Sequence, residues 1–301
     1  MAHSQSSHTL SVGIDLAGAD VPEETLYETG EEVQGKGITL RYYSTKPFSS
    51  SCTLCSEVVR MDESPSRFRR KKGSTLVRAL RDLAEGQISS LVTCANTGAV
   101  VSAAAVYLGR FIPHPALAAF VPSKRGKVVL LDAGASLTES AEDLVTQAIL
   151  GSALASATLN VSRPKVGLLN IGKERKKGTE ELKKTDTLLR EKNGPFSYVG
   201  FVEPFDVFSG EVDVLVTNGF TGNIFLKTAE GVAATLFEGK IPQGYGGALL
   251  VGVKCPLVKC HGKPTTASFM HAIFQAREYA ALGLVQQLER ALATHDHAKG
   301  L

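Results

Sequence analysis

The stretch VDVLVTNGFTGNIFLKTAEG, residues 212–231, constrains the fold of this chain more than any other. Val212, Val214, Leu215 and Val216 form a short β-branched run suited to a parallel strand covered on both faces. Asn218-Gly219 interrupts it, and Thr221-Gly222-Asn223 supplies a hydroxyl, bare backbone and an amide before a helix that runs from 222 to about 237. N–H groups at such a loop and helix start converge on one spot, which makes an anion site. The same residues also suit an ordinary turn in which Gly and Asn allow positive φ.

The unit recurs along the chain. Residues 11–15 read as a strand that ends in Asp15-Leu16-Ala17-Gly18-Ala19-Asp20. Its two acids, Asp15 and Asp20, either face a ligand or serve as a turn and a cap before Pro22. A helix over 23–34 and strands over 38–43 and 57–61 follow, then an amphipathic helix over 74–85 with Leu76, Ala79, Leu80 and Leu83 on one face. Before that helix lie Arg69, Arg70, Lys71 and Lys72, either a solvated face or a dock for an acidic partner. The strand over 88–93 opens onto CANTGA, with Asn96, Thr97 and Gly98 at the start of the next helix.

Further strands are read over 127–131, 165–170, 197–202, 249–253 and 257–259, with helices over 140–157, 179–191 and 266–292. After the 165–170 strand, Asn170, Gly172, Lys173, Arg175, Lys176 and Lys177 put cations beside a glycine turn, which is either a phosphate grip or a solvated loop. His261 follows a strand and adjoins glycine, so it reads as a ligand contact, an acid or a structural histidine. Connections too long for hairpins predict an α/β fold, doubly wound, with a mainly parallel sheet and helices on both faces. Residues 11–295 form one unit, as a single body or as two lobes meeting at a central cleft, with polar tails at 1–10 and 296–301.

Composition narrows the function classes. A formal net charge of +3 is too weak by itself to argue for nucleic acid, and no such partner is expected. No apolar run is long enough for a transmembrane helix and no signal sequence leads the chain, so the expected location is cytoplasmic. Cys52, Cys55, Cys94, Cys255 and Cys260 read as ordinary thiols; Cys52 and Cys55 have zinc spacing, but the other pair does not complete it, so no metal is expected. Neither GxGxxG after the first strand nor GxxxxGK[ST] is present, and no cofactor is named by the sequence.

MDESPSRFRRKKGST, CANTGA, HPALAAFVP, GKVVLLDAGA, VGLLNIGKERKKG, FSGEVDVLVTNGFTGNIFLKTAEG and VKCHGK together resemble, in order, the bacterial phosphate acyltransferases of phospholipid synthesis, the PlsX type. The resemblance implies a fold like isocitrate and isopropylmalate dehydrogenases or phosphotransacetylase. It implies synthesis of acyl phosphate from acyl-acyl carrier protein and inorganic phosphate, by a homodimer. Lys177 matches the family lysine, and Asn96-Thr97-Gly98 and Thr221-Gly222-Asn223 match its ligand turns. The chain is shortened and divergent: an acid of the family is Asn218 here, its Asn is Ser136, and the helical insertion linked with membrane contact shrinks to residues 232–244. At most weak peripheral membrane contact is therefore expected.

Attack of phosphate on a thioester needs a held anion, a stabilised oxyanion and a departing thiolate, with no covalent nucleophile. Lys177, Asn218 and His261 are the catalytic candidates. Asp15, Asp20, Asn96, Thr97, Gly98, Asn170, Gly172, Thr221, Gly222 and Asn223 are the substrate- and phosphate-binding candidates. Arg69 to Lys72 would dock the carrier protein. Two other readings stay open: a weakened relative that binds carrier protein or acyl ligands as regulator or scaffold, and a short-chain enzyme using coenzyme A thioesters.

Overall fold

Short apolar runs become the strands, and four of the helices start behind a Ser or Thr, at Ser74, Ser140, Thr179 and Thr265. The computed structural model describes residues 10–34, 36–192, 194–236 and 246–297. The chain divides into two compact units, residues 1–108 with 255–282 and residues 109–254 with 283–301.

The chain first builds β1 (Ser11–Asp15), α1 (Glu23–Gln34), β2 (Thr39–Ser44), β3 (Cys52–Leu54), α2 (Thr75–Ala84), β4 (Ser90–Thr93) and α3 (Thr97–Tyr107). In the second unit come β5 (Ala116–Ser123), β6 (Gly126–Leu131), α4 (Ala141–Leu159), β7 (Lys165–Leu169) and α5 (Glu180–Glu191). They are followed by β8 (Ser197–Val202), α6 (Pro204–Ser209), β9 (Val214–Val216), α7 (Gly219–Leu236) and β10 (Ala248–Val251). The chain then returns to the first unit as β11 (Leu257–Lys259) and α8 (Thr266–Ala281), and ends in the second as α9 (Leu284–His297).

The first unit carries strands in the order β3-β2-β1-β4-β11, all parallel. β1 connects to β2 on one side and pairs with β4 on the other, so the strand order reverses between β1 and β4, where α/β sheets open a crevice at the strands' carboxyl ends. In the second unit the order is β10-β5-β6-β9-β7-β8. There β10–β5 and β5–β6 are antiparallel and the rest parallel. The fold is α/β, doubly wound and mainly parallel.

Caps fix the helix starts. Ser74 accepts from the Val77 N–H, Thr179 from Leu182 and Thr265 from Ser268, while Ser140 and Asp143 form a reciprocal capping box. Apolar residues of β1, β4, β6, β9 and β11 are almost fully buried and form the cores. Among the described residues, no helix is long and apolar enough to cross a membrane.

Several local readings are corrected. Residues 57–61 are not a strand; only Glu57 makes an isolated bridge, to Ser74. β5 and β6 form a tight hairpin, although hairpins were not expected; β5 escaped notice because its alanines and Pro122 mask its pattern. The last helix is two, broken at Gly283, whose φ of +57° ends α8. Tyr245 and part of the shortened 232–244 segment lie outside the described residues, as do the tails at 1–9 and 298–301.

Candidate active site

In the second unit, Asn170 stands at the carboxyl end of β7 and ties its loop shut. Its Oδ1 accepts from the Ile171 N–H at 2.9 Å, and its Nδ2 donates to the Lys177 carbonyl at 3.2 Å. Gly178 adopts φ of +91°, and a Cβ there would lie 2.6 Å from Asn170 Oδ1, so the closure needs glycine. Lys177 Nζ lies 2.8 Å from the Glu174 carboxylate, and that hydrogen bond raises the lysine's pKa and keeps it charged. Gly172 sits under it: a Cβ would be 2.6 Å from Lys177 Nζ. The loop's other cations are not all in one grip. Lys173 pairs with Asp206 at 2.9 Å and Arg175 with Asp186 at 3.4 Å.

Asn218 follows β9 and caps α7. Its Oδ1 accepts from the Thr221 N–H at 2.8 Å, and its carbonyl accepts from the Gly222 N–H at 2.9 Å. The Gly219 N–H donates to Glu139 Oε1 at 3.0 Å. The first N–H groups of this helix are thus largely committed within the protein. What remains to meet an anion is mainly side-chain chemistry: the Asn218 NH2, the Thr221 hydroxyl and the Lys177 ammonium. Gly222 and Asn223 lock α7 onto the turn after β6. A Cβ at Gly222 would overlap the Asp132 carbonyl oxygen, and Asn223 Nδ2 donates to the Ala133 carbonyl at 3.0 Å.

Beneath that turn lie two carboxyls, Asp132 and Glu139, that the sequence reading did not single out. Asp132 accepts N–H groups from Leu117, Gly134, Ala135 and Ser136 at 2.9–3.1 Å. Burial pushes its pKa up, and burial with the neighbouring Asp132 pushes Glu139 up to about 7. Together they fasten the start of α7 to the 132–136 turn.

Asn170, Gly178, Thr217, Asn218 and Thr221 converge at one end of a groove of about 880 Å³. Its remaining wall is mostly apolar, from α7, α6, Leu169 and Leu182. Lys177 belongs to the same loop as Asn170 and Gly178 and is half-exposed.

The first unit gathers a separate set at the carboxyl ends of β1, β4 and β11. Asp15 is fully buried and accepts from the Thr93 hydroxyl at 2.8 Å. Asp20 is exposed; its N–H donates to the Gly262 carbonyl at 2.8 Å, placing it beside the turn that carries exposed His261. Asn96 caps α3 through the Ala99 N–H at 3.0 Å and donates to the Met61 carbonyl at 2.7 Å. Thr97 and Gly98 open α3, with Gly98 packed on Pro65. Lys259 was missed: it is 7% exposed, and its Nζ donates to the Cys260 carbonyl. Burial lowers its pKa, with the thiols of Cys94 and Cys260 and the acids Asp20 and Asp15 opposing. A lysine closing the apolar run LVK was the available signal. Of the basic cluster, Arg69, Arg70 and Lys72 are exposed, whereas Lys71 is half-buried and bound to Glu63 and the Val58 carbonyl at 2.7 Å. Among the described residues no group of three or more His, Cys, Asp or Glu is placed to hold a metal.

Asp15 gives a pH signature. Burial pushes its pKa up to about 7, against the Thr75 and Thr93 hydrogen bonds that lower it. The native state therefore binds this proton more tightly than the unfolded chain. The group's stabilising contribution is full below about pH 4 and is lost as the pH rises towards about 7. Asp15→Asn is expected to flatten the decline of the thermal midpoint across that window; an unchanged slope would show that Asp15 titrates normally.

Compared with known proteins, residues 44–239 match the sequence model of the family described as fatty acid synthesis protein. A phosphate acyltransferase of Anoxybacillus flavithermus is 32% identical over 327 residues, covering 94% of this chain and 99% of the relative. The phosphate acyltransferase of Azorhizobium caulinodans is 33% identical over 321 residues, covering 96% and 90%. In fold, the chain resembles a branched-chain phosphotransacylase from Enterococcus faecalis, with a TM-score of 0.66 at 16% identity over 90% of this chain and 99% of that one. That likeness agrees with the phosphotransacetylase-like fold expected from the sequence. With relatives spanning nearly its whole length, the chain belongs to the phosphate acyltransferase family and is an acyltransferase.

Proposed function

We propose that this protein transfers the acyl group of an acyl-acyl carrier protein to inorganic phosphate, as a cytoplasmic homodimer supplying acyl phosphate for glycerophospholipid synthesis. The observation that carries this reading is the polar set Asn170, Gly178, Asn218 and Thr221 at the mouth of an apolar groove, with Lys177 on the same loop. A phosphate oxygen attacks the thioester carbonyl carbon, the C–S bond breaks, a C–O–P linkage forms, and the thiolate leaves to take up a proton. Lys177 neutralises the phosphate and the developing oxyanion. Asn218 contributes as a donor: its Oδ1 is used by the helix cap, so its NH2 is what it offers a ligand. This accounts for an amide serving where the family pattern has an acid.

The test is acyl phosphate formation by the wild type and Asn218→Asp. Both retain the cap, so both fold. Turnover by the wild type upholds the reading. Activity appearing only in Asn218→Asp would instead identify a protein that binds carrier or acyl ligands without reacting.

Arg69, Arg70 and Lys72 are proposed to steer the acidic carrier, an effect that acts mainly on encounter and weakens with salt. Reversing all three to Glu is expected to raise KM for the acylated carrier about tenfold at low salt. Salt should raise the wild-type KM while sparing the variant. Equal KM values in both proteins would remove the docking role.

A further inference from the structure

We propose that the groove along α7 holds the acyl chain itself, a long unbranched hydrocarbon, and that Ala229 and Ala233 set the length accepted. This rests on the acyl-transfer reading above and deepens it. Thr221, Phe225, Ala229 and Ala233 recur every four residues and lie on one stripe of α7 facing the groove. From Thr221 to Ala233 the stripe runs about 18 Å at 1.5 Å per residue. One leaflet of a bilayer's hydrocarbon core, the depth a membrane acyl chain fills, is about 15 Å. An acetyl group would occupy only the first turn.

The chemistry is graded along this path. At the mouth are the Asn170 and Asn218 amides and the Thr221 hydroxyl, where a thioester carbonyl belongs. Beyond them the walls are Leu182, Phe208, Ile224, Phe225 and Val232. α7 is packed mostly at its start: among the 18 residues of the helix, only Gly219, Gly222, Leu226 and Ala233 are buried. Ile224 and Val232 are each 52% exposed. Apolar surface left open on this scale marks a ligand groove or an interface. Its continuity with the polar cluster, where the thioester carbonyl belongs, selects the substrate's own tail as the occupant. Ala229 and Ala233 are the small side chains on the stripe, so they leave room where the distal methylenes would lie.

The experiment measures kcat/KM for acyl phosphate formation across carrier thioesters from hexanoyl to palmitoyl, for the wild type, Ala229→Phe and Ala233→Phe. Displacement of a fluorescent long-chain fatty acid supplies a readout independent of turnover. Each added methylene is expected to raise wild-type kcat/KM by up to about fourfold until the groove is filled. The palmitoyl-to-hexanoyl ratio is expected to fall about 100-fold in Ala229→Phe, and less in the more distal Ala233→Phe. Thermal unfolding of both variants verifies the fold. Equal losses at every chain length would overturn the proposal. So would an unchanged chain-length profile accompanied by altered oligomeric state or altered flotation with phospholipid vesicles, which would make the groove an interface or a membrane face. Fatty-acid binding that is lost in Ala229→Phe, with no turnover by the wild type, would uphold the groove and reject the transfer reaction.

Discussion

Gly222→Ala is expected to abolish measurable acyl phosphate formation and to destabilise the protein by about 1–3 kcal/mol or more. The cause is the Asp132 carbonyl oxygen, which occupies the space a Cβ at residue 222 would need. Backbone, not a flexible side chain, blocks the methyl group, so α7 or the 132–136 turn has to move. Such movement breaks the Asn223–Ala133 hydrogen bond and shifts Asn218 and Thr221 together, because both belong to the same cap. Displacement of reacting groups by about 1 Å is enough to lower rates about 10²-fold. Gly231→Ala is the control: no atom lies within 4 Å of its Cβ position, and the helical preference for Ala makes it neutral or mildly stabilising. Retention of activity by Gly222→Ala would show that the interlock between α7 and the turn does not position the site.

Lys177→Ala is the second large effect, with an expected fall of about 10²–10³-fold in kcat, the range for losing one donor to a developing oxyanion. The fold is expected to be untouched, since the side chain is half-exposed and its ion pair with Glu174 lies at the surface. Lys177→Arg should recover only part of the rate, because a planar fork differs from a point ammonium in reach and geometry. The companion change Glu174→Gln removes the carboxylate that a bound phosphate must compete with for Nζ. It is expected to lower KM for phosphate, and a rise in that KM would mean Glu174 chiefly orients the lysine. Wild-type activity in Lys177→Ala would transfer the anion-stabilising role elsewhere.

Much of this architecture is readable from residues that have few alternatives. Ser74, Ser140 and Thr179 each precede a helix-forming run and cap the expected helix. β1, β8 and β11 occur at the expected residues, because β-branched and apolar runs flanked by polar turns admit little else. β3 and β5 were hidden: one is a three-residue edge strand, and the other is alanine-rich and contains Pro122. In the site, NGFTGN marks an important turn but does not reveal its division of labour. Gly222 and Asn223 are fasteners, whereas Asn218 and Thr221 face the groove. Glu139 depends on a contact with the distant Gly219 N–H that no local pattern announces, whereas Lys259 is marked only by its place at the end of the apolar run LVK. Likewise, four cations in KERKK read as one grip, while acids brought in by the fold at Asp206 and Asp186 draw two of them away.

Transfer of the acyl group to phosphate is tested by following release of the carrier thiol from palmitoyl-acyl carrier protein while phosphate is varied. Thiol release is expected to saturate with phosphate, to be matched mole for mole by acyl phosphate, and nearly to disappear in Lys177→Ala. Thiol release independent of phosphate, or none from the wild type while the acylated carrier still binds, would contradict it.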